Sequence, residues 1–295
     1  MELRQLKYFV TVAKTLNFSE AARQLFITQG TLSQQVGQLE DELGMPLFHR
    51  TSHNVTLTEA GEVMLPIAKK AIDASQECKQ KITDLNKSLS GTLNIGLTAS
   101  FRDLLTDTVR NFVKQYPGVK LNIVYRTAPD LFKMLLKGEM DFILTFKPSA
   151  TYEQVESEEL FTTRVSAVVH KSHPLADVKS LSVAELERHR LILPAKGAQT
   201  RKALEQRLDV KSSNLDVVME LNDPYIIMEL LHGTRLVAVL SSLATYYDNS
   251  LVAIPIDEVP RNHAGCLHWH RGAYKKRSAL KFVELIKESI PSEWK

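Results

Sequence analysis

Apolar residues recur every three or four positions in three short segments near the beginning of the chain. Residues 3–16 predict an amphipathic helix that ends near Asn17. Ser19 is the predicted N-cap of a short second helix, 20–25. A third helix follows and is predicted to end at Gly44, because glycine is common at the C-terminal stop of helices. The apolar positions that define it are Leu32, Val36, Leu39 and Leu43.

The pattern then changes to short β-type runs around the polar cluster 52–54, which predicts a hairpin between Leu47 and Thr58. Three helices followed by a hairpin are typical of a winged helix-turn-helix. Thr58 is the predicted cap of a long helix, in which Pro66 should produce a kink or weaken the first turns. Its apolar residues have coiled-coil spacing and need a partner helix, so we expect a dimer. This predicted seam consists of Met64, Ile67, Ala71, Ala74, Cys78, Ile82, Leu85 and Leu89.

From Gly91 onward, strand-like runs alternate with helical stretches, which predicts an α/β fold with parallel sheets. The number of runs fits two lobes better than one. The first set of predicted strands is TLNIGL, VKLNIVY and DFILT, and the second set is VSAVVH, RLILP, LDVVMEL and RLVAVL, followed by CLHWH.

The composition excludes several protein classes. The 295 residues include no apolar run long enough to span a membrane, and the first residues lack the apolar core of a signal peptide, so we expect a cytoplasmic protein without a membrane partner. Cys78 and Cys266 are far apart, which indicates neither a disulfide framework nor a zinc site. The net charge is +3, and residues 1–90 carry ten basic and ten acidic residues, so charge alone does not favour a nucleic acid partner.

The third helix has a polar, uncharged face opposite its apolar side. In a helix-turn-helix the second helix of the pair enters the major groove, where glutamine pairs with adenine and hydroxyls serve bases or phosphates. Gln34 is the first choice for a base contact, and the alternative is a solvated helix that touches nothing. The candidate DNA-binding residues are Thr28, Gln29, Gly30, Thr31, Ser33, Gln34 and Gln38, with Arg50 and His53 on the hairpin.

The segment AARQLFITQGTLSQQVGQLEDELGMPLFHRTSHNVTLTEAG resembles the N-terminal signature of the LysR-type transcriptional regulators. The pattern positions that carry the resemblance are Ala21, Ala22, Leu25, Leu32, Ser33, Leu39, Glu40, Leu43, Gly44, Leu47, Phe48, Arg50, Thr58, Ala60 and Gly61. One departure concerns Gly37 and Gln38, which stand where many members carry a basic residue. Fewer phosphate anchors predict DNA binding with a shallow salt dependence.

The resemblance implies an all-α winged helix-turn-helix followed by a two-lobed α/β domain similar to periplasmic binding proteins. It implies a sequence-specific transcriptional regulator that binds double-stranded DNA and responds to a small-molecule effector. We expect a homodimer through the linker helix and a homotetramer through the sensing domains, with RNA polymerase as a candidate partner. The expected divisions are 1–58 (DNA binding), 59–90 (linker helix) and 91–295 (effector binding), with lobe I at 91–161 and 268–295, lobe II at 163–265, and crossings at 161–164 and 264–267.

Candidate effector contacts lie where strands end and helices begin, because free backbone amides and hydroxyls gather there. Thr98 and Ser100 fit best and could hold a carboxylate or another anion, with Phe101 beside them. Serine, threonine and asparagine are also ordinary helix caps, which is the structural alternative. The remaining candidates are Thr127, Thr145 and Phe146 in the first lobe and Thr200, Asn222 and Asp223 in the second.

No cofactor, metal or catalytic group is expected. Of His263, His268 and His270, only the last two share a strand face, and the chain contains no GxSxG, HExxH or glycine-rich phosphate loop. A rival interpretation is a solute-binding module, or an enzyme built on a two-lobed fold, whose N-terminal helices serve only to dimerise. Binding of DNA by residues 1–90 alone would separate the two interpretations.

Overall fold

The computed structural model describes residues 1–51, 54–84, 89–148, 150–206, 215–246, 248–257, 259, 263–291 and 294. The chain forms two compact units, Met1–Asn86 and Lys87–Lys295. None of the helices within these described ranges is long and apolar enough to cross a membrane.

The first unit has the predicted order of three helices, a hairpin and a long helix. The elements are α1 (Leu3–Thr15), α2 (Phe18–Gln24), α3 (Gln29–Leu43), β1 (Phe48–Arg50), β2 (Val55–Leu57) and α4 (Glu59–Asp84). The hairpin strands pair antiparallel, with Phe48 opposite Leu57. Gly44 ends α3 with φ 69°, as predicted.

The predicted cap of α2 is wrong. The helix begins one residue before Ser19, and Asn17 caps it by accepting a hydrogen bond from the Glu20 amide at 3.0 Å. Ser19 instead donates its hydroxyl to the side chain of Gln29 at 2.8 Å. The cap of α4 is confirmed, because the Thr58 hydroxyl accepts from the Gly61 amide at 3.0 Å.

The long helix α4 buries one apolar face in the first unit, and the predicted seam belongs to that face only in part. Ala68 and Ile72 are buried in the core of the first unit, whereas Ile67 and Ile82 are 62% and 67% exposed. Met64 and Ala71 of the predicted seam also pack against this core, so the predicted seam combined residues of two faces. Leu89 is also misassigned, since it lies in the core of the second unit, and Leu85 is outside the described residues. The helix continues through Pro66.

The second unit contains the predicted alternation of strands and helices, with two strands that the sequence did not predict, β6 and β11. Its elements are β3 (Gly91–Leu97), α5 (Arg102–Gln115), β4 (Val119–Tyr125), α6 (Ala128–Leu136), β5 (Phe142–Phe146), β6 (Val155–Thr163), β7 (Val165–His170), α7 (Val183–Leu186), β8 (Arg190–Pro194), α8 (Gln199–Glu205), β9 (Asp216–Leu221), α9 (Pro224–Leu231), β10 (Val237–Ser241), β11 (Leu251–Pro255), β12 (His263–His270) and α10 (Arg277–Ser289).

The strands form two five-stranded sheets, which define a first and a second lobe. The first sheet has the order β4-β3-β5-β12-β6 and the second has the order β11-β7-β10-β8-β9. Both sheets are mixed, which corrects the expectation of parallel sheets: β12 pairs antiparallel with β5 and β6, and β7 pairs antiparallel with β10 and β11. Each sheet has buried apolar clusters against its helices.

The chain passes between the lobes at Arg164, because β6 ends at Thr163 in the first sheet and β7 begins at Val165 in the second. This agrees with the first expected crossing. The second expected crossing, at 264–267, is wrong because these residues pair along β12 in the first sheet. The return to the first lobe therefore precedes His263, and lobe II ends before residue 265.

Candidate functional site

The exposed face of α3 presents most of the polar side chains that the sequence singled out. Thr28, Gln29, Gly30, Thr31, Gln34 and Gln38 are exposed, and Ser33 is half-buried beside the hairpin. Leu32, Val36 and Leu39 are fully buried and fix this face outward.

Several of these side chains already have partners. The Thr28 hydroxyl caps α3 by accepting from the Thr31 amide at 3.1 Å. Gln29 accepts from Ser19, and Gln38 accepts from the Gln35 amide nitrogen at 2.9 Å. Gln34 makes no hydrogen bond to the residues that the structure describes, so its amide oxygen and nitrogen are available to an external partner.

Arg50 is held in a network instead of extending freely from the hairpin. Its guanidinium donates to Glu40 at 2.5 Å and to the Ser33 hydroxyl at 3.3 Å, and it lies 4.6 Å from the centre of the Phe18 ring. The other Glu40 oxygen accepts from the backbone amides of Leu47 and Phe48 at 2.8 and 3.2 Å. Glu40 and Arg50 thus fasten the hairpin to α3. His53 lies outside the described residues.

A cleft of about 580 Å³ lies between the two lobes of the second unit. Seven of the nine candidate effector contacts line it: Thr98, Ser100, Thr127, Phe146, Thr200, Asn222 and Asp223. Phe101 and Thr145 do not line the cleft. They are fully buried behind its wall, where Phe101 packs on Phe146 and the Thr145 hydroxyl bonds to the ring of His268 at 3.0 Å.

Thr98 is the residue whose chemistry most directly calls for a ligand. Its hydroxyl is shielded from solvent and has no hydrogen-bond partner in the described part of the chain, although its backbone amide donates to Leu144 at 3.1 Å. A buried hydroxyl without a partner costs roughly 1–3 kcal/mol. A polar group of a bound molecule would remove that cost.

The acidic side chains in the cleft wall already have donors. Asp130 accepts from the Thr127 hydroxyl at 2.7 Å, and Asp223 caps α9 by accepting from the amides of Tyr225 and Ile226. Asp223 is therefore satisfied as a helix cap without a ligand, whereas the Thr127 hydroxyl donates to Asp130 and does not cap α6. Arg126 and Lys196 also line the cleft and form no ion pair with a described acid.

Tyr225 and Asp103 join the two lobes across the cleft, and sequence reasoning missed both. The Tyr225 hydroxyl, from α9, donates to the Asp103 carboxylate on α5. The Arg102 guanidinium lies 3.0 Å from the centre of the Tyr225 ring. Burial, together with the adjacent carboxylate, raises the pKa of Tyr225 above its usual value, so the phenol remains a donor. The only sequence signal was an aromatic residue after the predicted start of α9.

Two further contacts link the lobes near this cleft. The side-chain nitrogen of Gln199, in the orientation that satisfies its hydrogen bonds, donates to the carbonyls of Phe146 at 3.2 Å and Lys147 at 2.6 Å. At the strand crossing the Thr163 hydroxyl lies 2.8 Å from the hydroxyls of both Ser241 and Ser242. The cleft is therefore bordered by hydrogen bonds that connect one lobe to the other.

The buried histidines of β12, His263 and His268, make contacts within the protein core. His268 is fully buried and bonds to Thr145 and to the Ser157 hydroxyl at 2.7 Å, and burial lowers its pKa to about 4. Burial also lowers the pKa of His263 to about 4, and its ring packs tilted against Phe146 with the ring centres 3.9 Å apart. Burial raises the pKa of the Cys266 thiol to about 11, which disfavours the reactive thiolate.

Comparison with protein families accounts for both units. The model described as "LysR substrate binding domain" matches residues 86–291, and the model described as "Bacterial regulatory helix-turn-helix protein, lysR family" matches residues 3–62. Together they cover the polar face of α3 and the two-lobed cleft. The chain belongs to the LysR family of transcriptional regulators.

Relatives along the whole length agree with this assignment. The chain is 26% identical to the HTH-type transcriptional activator CmpR of Synechocystis sp. over 284 residues, which are 95% of this chain and 91% of CmpR. The fold is similar to full-length OxyR from Pseudomonas aeruginosa, with a TM-score of 0.70 at 23% identity, covering 98% of this chain and 94% of OxyR. It is also similar to CbnR bound to its target DNA, with a TM-score of 0.62 at 19% identity, covering 98% and 100%.

This membership decides between the two interpretations of the sequence. The helix-turn-helix model covers the N-terminal helices, so they form a DNA-binding domain and not merely a dimerisation segment. The relatives are named as transcriptional regulators, and the protein is a regulator and not an enzyme. The second unit is its effector-binding domain.

Proposed function

We propose that this LysR-family regulator controls transcription in response to a small anionic effector that binds in the cleft between the two lobes. The observation that carries this proposal is Thr98, a residue of the cleft wall whose shielded hydroxyl has no hydrogen-bond partner among the residues that the structure describes. The cavity of about 580 Å³ is within the range of small-molecule sites.

The charges around the cleft favour an anion over a cation. Asp103, Asp130 and Asp223 each accept hydrogen bonds from neighbouring groups, so their charge is already stabilised by the protein. Arg126 and Lys196 form no ion pair with a described acid. An anionic group that accepts from Thr98 and lies near one of these cations would be better compensated than a cation in the same place.

For operator recognition we propose direct contacts from the polar face of α3. Gln34 reads a base, since a free glutamine amide matches the donor and acceptor of adenine in the major groove. Ser33 and Gln38 stand on either side of it, and the amides and hydroxyls of Thr28–Thr31 serve phosphates. Arg50 positions the hairpin through Glu40 and contacts DNA only with the donors that this ion pair leaves unused.

We propose a dimer formed through α4 and a tetramer formed by two such dimers, with RNA polymerase as a further partner. Val63, Ile67 and Ile82 are more than 60% exposed on α4, and Ala74 and Cys78 are exposed between them. Their spacing of four and seven residues makes one stripe, separate from the face that Ala68 and Ile72 bury. A stripe of this kind matches the seam of paired helices.

The effector proposal is tested by thermal unfolding of the full chain with a panel of small carboxylates, phosphates and matched neutral or cationic molecules. An anion that binds should raise the unfolding temperature of the second unit. Thr98→Val should remove most of this shift, whereas Thr92→Val, the same change at an exposed position of β3, should retain it. Stabilisation by cationic molecules alone, or an equal shift in Thr98→Val, would contradict the proposal.

A further inference from the structure

Phe26, in the turn between α2 and α3, is the most exposed large apolar residue among those the structure describes. The residue is 95% exposed. A phenylalanine in this position contributes nothing to the core of the first unit, whose other phenylalanines, Phe9, Phe18 and Phe48, pack against one another.

The backbone at Phe26 is also unfavourable for this residue type. Its φ is 56°, in the left-handed region. The Phe26 amide donates to Arg23 and the Ile27 amide donates to Ala22, which is the hydrogen-bond pattern that ends helices with a left-handed residue. At the end of α3 the same pattern occurs at Gly44, with φ 69°. Glycine is the residue that adopts this conformation without steric cost.

Leu16, at the end of α1, is the other non-glycine residue with positive φ in the described part of the chain. Its side chain is 47% exposed, so about half of it is covered by packing within the protein. Phe26 has almost no such packing, and the folded protein alone gives no reason for a large aromatic ring there.

The position of Phe26 suggests what covers the ring. It is two residues before Thr28, the N-cap of α3, and is followed by the exposed Gln29, Gly30 and Thr31. In a helix-turn-helix these first residues of the second helix lie in the major groove. The apolar group that DNA presents on the floor of that groove is the C5-methyl of thymine.

We propose that Phe26 is a specificity-determining DNA contact whose ring packs on a thymine methyl group at the edge of the site read by α3. This inference rests on the proposed operator recognition by α3. When the complex forms, water leaves the surfaces of the ring and of the methyl group. The apolar area that Phe26 exposes in the free protein thus becomes buried in the complex.

The test uses the full-length protein, its selected operator, and the variants Phe26→Gly and Leu16→Gly. Phe26→Gly relieves the left-handed backbone, so the first unit should be at least as stable as in the wild type. Affinity for the operator should nevertheless fall about tenfold, as for loss of one specific base contact. Binding to unrelated DNA should be unchanged, because phosphate contacts dominate it. Leu16→Gly makes the same backbone change away from α3 and should leave operator affinity unchanged.

A second arm locates the contact on the DNA. Each thymine of the half-site is replaced in turn by uracil, which removes only the methyl group. At one position, the replacement should lower the affinity of the wild-type protein for the operator. The same replacement should not lower the affinity of Phe26→Gly any further. The inference would be overturned if Phe26→Gly bound the operator as tightly as the wild type, or if every uracil lowered the affinity of both proteins equally. Neither result would contradict operator recognition by α3. Uniform weak binding of the wild type to all DNA would contradict the proposed recognition itself.

Discussion

Removal of the Glu40 carboxylate should destabilise the first unit strongly. One oxygen accepts from two backbone amides, at 2.8 and 3.2 Å, and the other accepts from Arg50 at 2.5 Å, while the side chain is 15% exposed. Hydrogen bonds to charged groups contribute about 1.5–3 kcal/mol when buried. Discounting for the partial exposure of Arg50, we expect Glu40→Ala to lower the free energy of unfolding by about 3 kcal/mol. Glu40→Gln, which keeps an acceptor for the amides, should lower it by about 1–2 kcal/mol.

The assay can separate the two units. Both tryptophans, Trp269 and Trp294, lie in the second unit, so their fluorescence follows its unfolding, whereas far-UV circular dichroism reports both units. In urea, Glu40→Ala should shift a circular dichroism transition and leave the fluorescence transition in place. Glu20→Ala is the matched control, because Glu20 pairs with Arg23 at the surface and its loss should cost less than about 1 kcal/mol. An effect of Glu40→Ala no larger than that of this control would show that the Glu40 carboxylate does not hold the hairpin to α3.

Three further sets of substitutions have defined outcomes. Gly61→Ala should destabilise the first unit by about 1–3 kcal/mol, since a Cβ would lie 2.3 Å from a backbone carbonyl oxygen beside the hairpin. Gly37→Ala, where a Cβ would have nothing within 4 Å, should instead stabilise α3 by about 0.5–1 kcal/mol. Urea unfolding followed by circular dichroism measures both changes, and equal effects would contradict the geometry. Tyr225→Phe removes the hydrogen bond between the lobes and should destabilise the second unit by about 1 kcal/mol. The control Tyr125→Phe should cost less than about 0.5 kcal/mol. Unfolding followed by tryptophan fluorescence measures both, and equal losses would argue against a link between the lobes. The pKa of His268 is about 4 in the folded protein, whereas a histidine in the unfolded chain binds a proton below pH ~6.5. The free energy of unfolding should therefore fall as the pH is lowered from about 6.5 to about 4, and His268→Gln should flatten this slope by up to about 1.4 kcal/mol per pH unit. An unchanged slope would contradict a neutral buried ring.

The sequence predicted the helix-turn-helix and most of the α/β alternation because these depend on local signals. Apolar spacing predicted α3, Gly44 predicted where α3 ends, and Thr58 predicted where α4 begins. Strand β6 was missed because it is an edge strand rich in charge: Glu158 and Glu159 lie outward and pair with Lys287 and Lys147. Charged edge strands lack the apolar alternation that identifies a strand.

The rest depended on contacts between distant parts of the chain. The two faces of α4 cannot be separated from spacing alone, since the face that packs within the first unit is set by α1 and the hairpin. In the cleft, strand ends correctly predicted Thr98 and Ser100 as lining residues. The pairing of Asp103 with Tyr225 joins residues 122 positions apart, and no local pattern indicated it.

Sequence-specific recognition by this regulator is tested by selection of bound DNA from genomic fragments with the full-length protein, followed by footprinting of the best fragment. We expect a discrete footprint over an inverted repeat, which Gln34→Ala weakens and Gln24→Ala, a change at an exposed glutamine of α2, leaves unchanged. Weak and uniform binding to all fragments, or equal footprints for both variants, would contradict sequence-specific recognition by α3.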